Sequence, residues 1–276
     1  MTQQTRTPFD GALRRIGLLL ARFLTRADGR GSTYAPADFA KLSATLRKGD
    51  VLLVDGQSLV GSSVKYLTQS TWSHVALYVG DALGPAPDGG EPHRLVEVNL
   101  GEGCVSSPLS KYASFHTRIC RPRGLSPEDR ARVVAFMIER IGLKYDLRNI
   151  FDLMRFFLPR PPVPQRWRRR MLALGSGDPT RAICSSLVAQ AFQHVGYPIL
   201  PTVREVKLRT RSSETRREIL HIRHHSLYAP RDFDISPYFE IVKPHLAQGF
   251  DPAALIWAHE VPDEVGGAEA YQFAAE

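Results

Sequence analysis

The stretch from Ala182 to Phe192 places a cysteine at the start of an apolar helix. After Cys184, apolar residues recur at intervals of three and four positions, which is the spacing of a helix with one face in a core. These residues are Leu187, Val188, Ala191, Phe192 and Val195, and Gly196 is predicted to end the helix. A thiol in the first turn of a helix feels the positive end of the helix dipole, which favours the nucleophilic thiolate. Taken alone, the pattern favours a buried core thiol, as most free cysteines are.

The composition predicts a globular protein that is basic and poor in cysteine. The 276 residues are 43% hydrophobic, enough for one large domain or a domain with additions. The net charge of +8 comes mainly from arginine, which suits the phosphate of lipid headgroups or nucleic acid. No recognisable nucleic-acid-binding module accompanies the arginines, so no nucleic-acid partner is predicted. Three cysteines without a C-x-x-C pair indicate neither a disulfide framework nor a four-cysteine zinc site, and a reducing compartment fits best.

Residues 9–26 have the pattern of a basic amphipathic helix, with apolar residues on one face and arginines mostly on the other. This helix either packs on the domain or a second subunit, or lies on an anionic membrane surface. The segment 160–170, with five arginines and three prolines, is a second candidate for such a surface. No secretion signal or transmembrane span is predicted. We therefore expect a cytoplasmic protein, with peripheral attachment at the inner face of the membrane as an extension of that hypothesis.

Two neighbouring segments are predicted to be strands that carry polar residues suited to chemistry. In Trp72–Gly80 apolar residues alternate with others, and His74 lies near the start of the strand on the less apolar face. After a Gly- and Pro-rich loop, Arg94–Val98 returns as a strand that contains Glu97. A carboxylate inside a sheet is costly unless it is paired, so Glu97 either faces water or holds a cationic or hydrogen-bonding partner.

Further elements complete an α+β pattern. Short strands are predicted at 51–54, 103–106 and 117–121, which makes an antiparallel meander the economical topology. Asp50 is expected to shape the turn before the first of them. Helices are predicted from Ser126 to Ile141 and from Asn149 to Leu158, a long loop or exposed helix over 203–225, and a turn at 228–234 leading into a last strand. His221, His224 and His225 lack acidic or cysteine partners at ligand spacing, so neither a metal nor a cofactor is predicted.

A thiol hydrolase would explain the cysteine, the histidine and the glutamate together. A histidine within hydrogen-bonding reach would take the proton of Cys184 and later give it to the leaving group. A third group must fix the tautomer of that imidazole, and Glu97 suits this role. Adjacent antiparallel strands can bring His74 and Glu97 side by side. Whether they do depends on a strand register that the sequence does not determine.

Five segments, in their order along the chain, resemble a known family. They are Lys48–Leu52, Ser73–Gly80, Val96–Val98, Lys144–Asp146 and Cys184–Val188. The sequence is similar to the circularly permuted papain-like cysteine hydrolases related to the NlpC cell-wall peptidases. In the usual NlpC order the cysteine helix precedes the histidine strand. The reverse order found here marks the permuted branch, which includes lecithin retinol acyltransferase and the YiiX/YebB-like bacterial proteins.

The resemblance covers about residues 46–245 and implies a fold, an active site and a reaction. The expected fold is α+β and permuted papain-like, with an antiparallel sheet packed against the nucleophile helix. Cys184 is then the nucleophile, His74 the base and Glu97 the orienting group, and the backbone N–H of Cys184 contributes to an oxyanion hole. Tyr145, Ser73 and Ser185 are expected to line the site.

The implied organisation has three parts. Residues 1–45 form an N-terminal amphipathic helix and linker, residues 46–245 the hydrolase domain with a basic insertion at about 159–180, and residues 246–276 a C-terminal extension. The expected activity is hydrolysis or acyl transfer through a thioester, on an amide or ester bond of a cell-wall-type peptide, an acyl-amide or a lipid. The alternative is a non-catalytic membrane-surface or protein adaptor that keeps the fold. The scissile bond and the oligomeric state are not determined by the sequence.

Overall fold

A six-stranded antiparallel sheet forms the centre of the part of the chain that the structure describes. In this computed structural model, that part comprises residues 26, 38–86, 89–143, 183–210, 213–221, 224–247, 249 and 251. The strands are β1 (Val51–Val54), β2 (His74–Tyr78), β3 (His93–Asn99), β4 (Gly103–Pro108), β5 (Thr117–Pro122), the separate hairpin β6 (Thr202–Thr210) and β7 (Ser213–His221), and β8 (Phe239–Val242). The order in the sheet is β4-β3-β2-β1-β5-β8. The predicted meander is therefore correct for β1 to β4, but β5 returns beside β1 instead of continuing the sheet at β4.

Helices surround this sheet, which confirms the α+β class. They are α1 (Phe39–Thr45), α2 (Leu59–Thr68), α3 (Pro127–Ile138), α4 (Ile183–His194), α5 (Pro230–Asp234) and α6 (Pro244–Ala247), with 3-10 turns at Leu109–Tyr112 and His225–Leu227. The Ser126 hydroxyl caps α3 by accepting a hydrogen bond from the backbone N–H of Asp129 at 3.0 Å. Within the described residues, no helix combines the length and apolar character needed to cross a membrane.

The two faces of the sheet are covered by different elements. One face packs against α4, and the apolar residues of the strands alternate so that every second side chain reaches it. The buried residues on this face include Val51, Leu53, Val75, Leu77, Val96 and Val98 of the strands and Val79 just after β2. The other face packs against α1 and the 3-10 turn that ends at Tyr112. Because α4 contacts both β2 and β3, the cysteine helix is fixed against the two strands that carry His74 and Glu97.

Asp50 fixes the turn that leads into β1. Its carboxylate accepts a hydrogen bond from the backbone N–H of Arg47 at 2.9 Å. The guanidinium of Arg121 on β5 donates Nε to Oδ1 at 2.9 Å and Nη2 to Oδ2 at 2.7 Å, a bidentate pair. These contacts confirm that Asp50 shapes the turn, and they join β5 to the loop before β1.

Two predictions for the C-terminal half were wrong. The segment 203–225 is mostly a hairpin, with Thr202 opposite His221 and Thr210 opposite Ser213, rather than a loop or an exposed helix. The register places Arg209 opposite Glu214, but it also places Glu205 opposite Glu218 and Lys207 opposite Arg216. The predicted turn at 228–234 contains the short helix α5, which begins with proline in its first turn, whereas the last strand predicted after it is confirmed as β8.

Several predictions concern residues outside the described ranges. They are the amphipathic helix at 9–26, apart from Arg26, the helix at 149–158, the basic segment 160–170 and the site residue Tyr145. The proposed membrane contacts through 9–26 and 160–170 therefore stay predictions.

Candidate active site

His74 and Glu97 lie on neighbouring strands and form a direct hydrogen bond. The register of β2 and β3 places Ala76 opposite Glu97, so His74, two residues away, shares a face of the sheet with Glu97. The distance between His74 Nε2 and Glu97 Oε2 is 2.6 Å. The sequence left this register undetermined, and the structure brings the two side chains together.

Glu97 is fully buried, with 0% of its surface exposed, and three further side chains donate to its carboxylate. The Ser107 hydroxyl and the Lys111 ammonium each lie 2.5 Å from Oε1, and the Tyr112 hydroxyl donates to Oε2. Burial alone would raise the pKa of Glu97, but the hydrogen bond and charge of His74, together with Lys111, outweigh it and hold that pKa well below its usual range. Glu97 therefore holds cationic and hydrogen-bonding partners and does not face water, which is the second of the two alternatives predicted from the sequence.

Cys184 lies in the first turn of α4, beside the His74 ring. The residue is 8% exposed and contacts the core on the α4 side of the sheet. His74 is the first residue of β2, so its ring lies at the end of the sheet and reaches both Glu97 and Cys184. Since Glu97 binds Nε2, Nδ1 is the ring nitrogen left for the thiol.

The protonation of His74 is set by these two neighbours. Burial lowers the pKa of His74, but hydrogen bonds to Cys184 and Glu97 and the negative charges of both outweigh this effect and raise the pKa to about 10. The side chain is 20% exposed. An imidazolium beside a thiol in the first turn of a helix is an arrangement that supports a reactive thiolate.

The raised pKa of His74 predicts how stability depends on pH. Because the folded value of about 10 lies above the ordinary 6.5, the folded state binds the proton more tightly. His74 therefore contributes its full stabilisation below pH 6.5, and this is lost as the pH rises from 6.5 through about 10. Between pH 6.5 and about 10, the free energy of unfolding measured in urea should fall by about 2–4 kcal/mol more in the wild type than in His74→Ala. Parallel pH profiles for the two proteins would contradict the shifted pKa.

The other two cysteines lie in strands and are core residues. Cys104 in β4 and Cys120 in β5 are both buried. Burial raises the pKa of Cys104 to about 11 and that of Cys120 above its usual range. Neither is an available nucleophile at neutral pH.

The remaining predicted site residues have different surroundings. The Ser73 hydroxyl accepts a hydrogen bond from the backbone N–H of Gly56 at 2.9 Å, in the loop after β1. The Ser185 hydroxyl donates to the backbone carbonyl of Tyr228 at 2.6 Å. Both residues are adjacent in sequence to a member of the candidate triad of Cys184, His74 and Glu97, and both hydroxyls bind backbone groups. Tyr145 lies outside the described residues.

Three residues around Glu97 were not predicted from the sequence, namely Ser107, Lys111 and Tyr112. The sequence does contain a signal for such residues. A carboxylate in an apolar strand requires hydrogen-bond donors, and the strand that begins at Gly103 is the nearest element along the chain that can supply them. Strand alternation places Ser107 on the same face as Glu97, since Glu97 is opposite Val105. Burial, the charge of Glu97 and its hydrogen bond raise the pKa of Tyr112 far above its usual range, so its hydroxyl stays a donor.

Among the side chains that the structure describes, no group of three or more His, Cys, Asp or Glu residues is arranged to hold a metal ion.

Comparisons with known proteins give a distant relationship. No protein-family model matches the chain. It is 23% identical over 169 residues to the probable lipoprotein peptidase YaeF of Escherichia coli (strain K12), an alignment that covers 56% of this chain and 58% of YaeF. A solved structure, the metalloprotein YiiX of Escherichia coli O157:H7, aligns at a TM-score of 0.40 and 13% identity over 76% of this chain and 98% of that chain. The chain is thus weakly homologous to YaeF, in line with the resemblance predicted from the sequence.

Proposed function

We propose that this chain is a thiol hydrolase with the permuted papain-like fold, which cleaves an amide or ester bond through a thioester on Cys184. The observation that carries the proposal is the imidazole of His74 held between the buried carboxylate of Glu97 and the thiol of Cys184. The distant homology to YaeF, a probable peptidase, suggests a hydrolase-type function and favours an amide bond in a peptide.

The order of the elements supports the permuted fold. The strands that carry His74 and Glu97 precede α4 in the chain, and α4 packs against the same two strands. The nucleophile therefore comes from an element that is distant in sequence and adjacent in space. This is the order expected for the permuted branch of the family that the sequence resembles.

In the first half of the proposed reaction, the proton of the thiol resides on His74 and the Cys184 sulfur attacks the carbonyl carbon. The new C–S bond places the carbonyl electron pair on oxygen as an oxyanion. The backbone N–H of Cys184 is suited to stabilise this charge, because the first N–H groups of a helix have no partner within the helix. His74 then protonates the leaving amine or alcohol, the bond to the carbonyl carbon breaks, and the thioester forms.

In the second half, water takes the place of the leaving group. His74 accepts a proton from the water as its oxygen attacks the thioester carbonyl. The C–S bond breaks, the sulfur regains its proton from His74, and the carboxylic acid leaves. An amine or alcohol in place of water would give acyl transfer by the same steps.

Glu97 acts through His74 rather than on the substrate. Its bond to Nε2 holds the ring in the orientation that presents Nδ1 to Cys184 and stabilises the imidazolium. Lys111, Ser107 and Tyr112 in turn hold the carboxylate, so the ring has little freedom to rotate.

The reactivity of Cys184 tests the proposal without a known substrate. At neutral pH we expect iodoacetamide to alkylate Cys184 at least about tenfold faster than Cys104 or Cys120, because only Cys184 lies beside an imidazolium at a helix start. Peptide mapping by mass spectrometry at short labelling times measures the three rates. In urea the three rates should converge, which controls for the local sequences. Equally slow labelling of all three in the folded protein would remove the basis of the proposal.

A further inference from the structure

A cleft of about 320 Å³ opens at the end of the sheet where His74 lies. The segment 69–72, which leads into β2, forms one side of the cleft. His116 and Arg118, at the start of β5, and Arg231 and Asp234 of α5 form the rest of its polar lining. None of the chemistry proposed for Cys184 uses these residues.

Of the two arginines that line this cleft, one is paired with a carboxylate and the other is not. Arg118 Nη1 donates to both carboxylate oxygens of Asp234, at 2.7 and 3.0 Å. The indole N–H of Trp72 also donates to Asp234, at 3.0 Å. Arg231 is exposed and donates Nη1 to the backbone carbonyl of Thr68 at 3.0 Å, and no carboxylate among the described residues pairs with it. The cleft therefore carries one positive charge beyond its internal ion pair.

Ring contacts join the walls of the cleft. Trp72 stacks on His116 with ring centroids 5.3 Å apart and an angle of 15° between the planes. The Arg118 guanidinium lies over the Trp72 ring, 4.9 Å from its centroid. A prearranged wall of this kind lowers the ordering cost of binding.

Two short routes connect the cleft to the candidate active site, one along the chain and one through a hydrogen bond. Trp72 is two residues from His74 along the chain. On the other side, Ser185, next to Cys184, binds the carbonyl of Tyr228, three residues before Arg231. Within the sheet, Val54 of β1 pairs with both His74 and Thr117, so β5 lies two strand spacings, about 10 Å, from β2.

We propose that this cleft binds an anionic group of the substrate, a carboxylate or a phosphate, that lies a few residues along the substrate from the scissile carbonyl. Arg231 is the binding cation, and Arg118, held by Asp234, shapes the pocket around it. The planar guanidinium suits either anion, since its parallel N–H groups match two oxygens. Extended chain rises about 3.3–3.6 Å per residue, so two or three residues would span the separation of about 10 Å between the backbones of β2, which carries His74, and β5, which carries Arg118. This inference rests on the proposed function, because it takes Cys184 as the reacting centre.

Alkylating probes of graded length test the cleft without a known substrate. Each probe is an iodoacetyl group followed by one to four glycines and ending in either a free carboxylate or an amide. The Cys184 sulfur displaces iodide and forms a C–S bond, and iodide leaves with the bonding pair. With two or three glycines we expect the carboxylate probe to alkylate Cys184 about five- to tenfold faster than the amide probe. With one glycine the two rates should be equal.

Variants assign the preference to Arg231. Arg231→Gln should abolish the difference between the carboxylate and amide probes, and Arg231→Lys should keep part of it. Arg132→Gln, which removes an exposed arginine of α3, is the matched control for the loss of one positive charge and should keep the full difference. Iodoacetamide should alkylate Cys184 at the same rate in all four proteins. A third probe series with a terminal phosphate in place of the carboxylate shows which anion the cleft prefers.

The outcomes separate this inference from the proposed function. Fast labelling by iodoacetamide with equal rates for the charged and neutral probes would overturn the anion site and leave the thiol hydrolase intact. A preference for the charged probes that persists in Arg231→Gln, or one that Arg132→Gln also removes, would overturn the assignment to this cleft. Slow labelling by iodoacetamide would instead overturn the proposed function.

Discussion

Replacing Glu97 with alanine is expected to lower the free energy of unfolding by about 3–5 kcal/mol. The change removes a buried carboxylate, and the side chains that bind it lose their acceptor. The change removes the acceptor of four side chains at once. The hydroxyls of Ser107 and Tyr112 would stay buried without a partner, and each such group costs about 1–3 kcal/mol. Urea unfolding followed by circular dichroism near neutral pH measures the loss.

Glu240→Ala is the matched control for this change. Glu240 lies in β8, is 48% exposed and pairs with Arg123 at 3.6 Å, so its removal should cost no more than about 1 kcal/mol. Glu97→Gln keeps the shape of the side chain but not its charge, and it should lower the reactivity of Cys184 while destabilising the fold less than alanine does. If the free energy of unfolding of Glu97→Ala were lower than that of the wild type by less than about 1 kcal/mol, the carboxylate would not be important for the stability of this site.

Replacing His74 with alanine is expected to slow alkylation of Cys184 at neutral pH by about 10- to 100-fold, because an ordinary cysteine is ionised by only a few per cent there. In the wild type, His74 stays protonated up to a pKa of about 10, so the pH profile of the alkylation rate should change as the imidazolium loses its proton near that pH. In the variant, the rate should rise with pH like that of a free thiol. Alkylation rates measured across the pH range distinguish the two profiles.

A second histidine on the neighbouring strand controls for this experiment. His93, at the start of β3, is exposed and contacts the Ser106 hydroxyl at 2.8 Å, so His93→Ala should leave both the rate and its pH profile unchanged. If His74→Ala and His93→Ala gave the same profile as the wild type, the imidazole would not be the base of this site.

The parts of the site that sequence predicts are those governed by local pattern. Alternation over 72–80 predicts that Val75, Leu77 and Val79 share a face, and all three are fully buried against the α4 side. The helical spacing after Cys184 likewise predicts α4 and its buried side. Both patterns depend on one element at a time, and the periodicity of a strand or helix is expressed within a few residues.

The parts that sequence does not predict depend on two elements at once. The contact between His74 and Glu97 requires a register, and a shift of one residue would move Glu97 to the opposite face. Ser107 and Tyr112 reach the carboxylate from β4 and the turn after it, so their role follows from pairing and not from their own sequence. The hairpin of β6 and β7 was missed because its charged residues obscure alternation, and Arg211-Ser212 between its strands lacks the glycine or asparagine that marks tight turns.

The separation in sequence between the parts of the triad has a consequence for the order in which the protein folds. His74 and Glu97 are 23 residues apart on strands joined by one loop, so their contact closes a short segment of chain. Cys184 comes much later, and its helix must dock across a long stretch of chain, which costs more entropy of closure and is slower. We therefore expect the histidine and its carboxylate to be assembled before the thiol reaches them. The nascent chain would then carry an unactivated cysteine until the fold is nearly complete, which limits unwanted reactions of the thiol during synthesis.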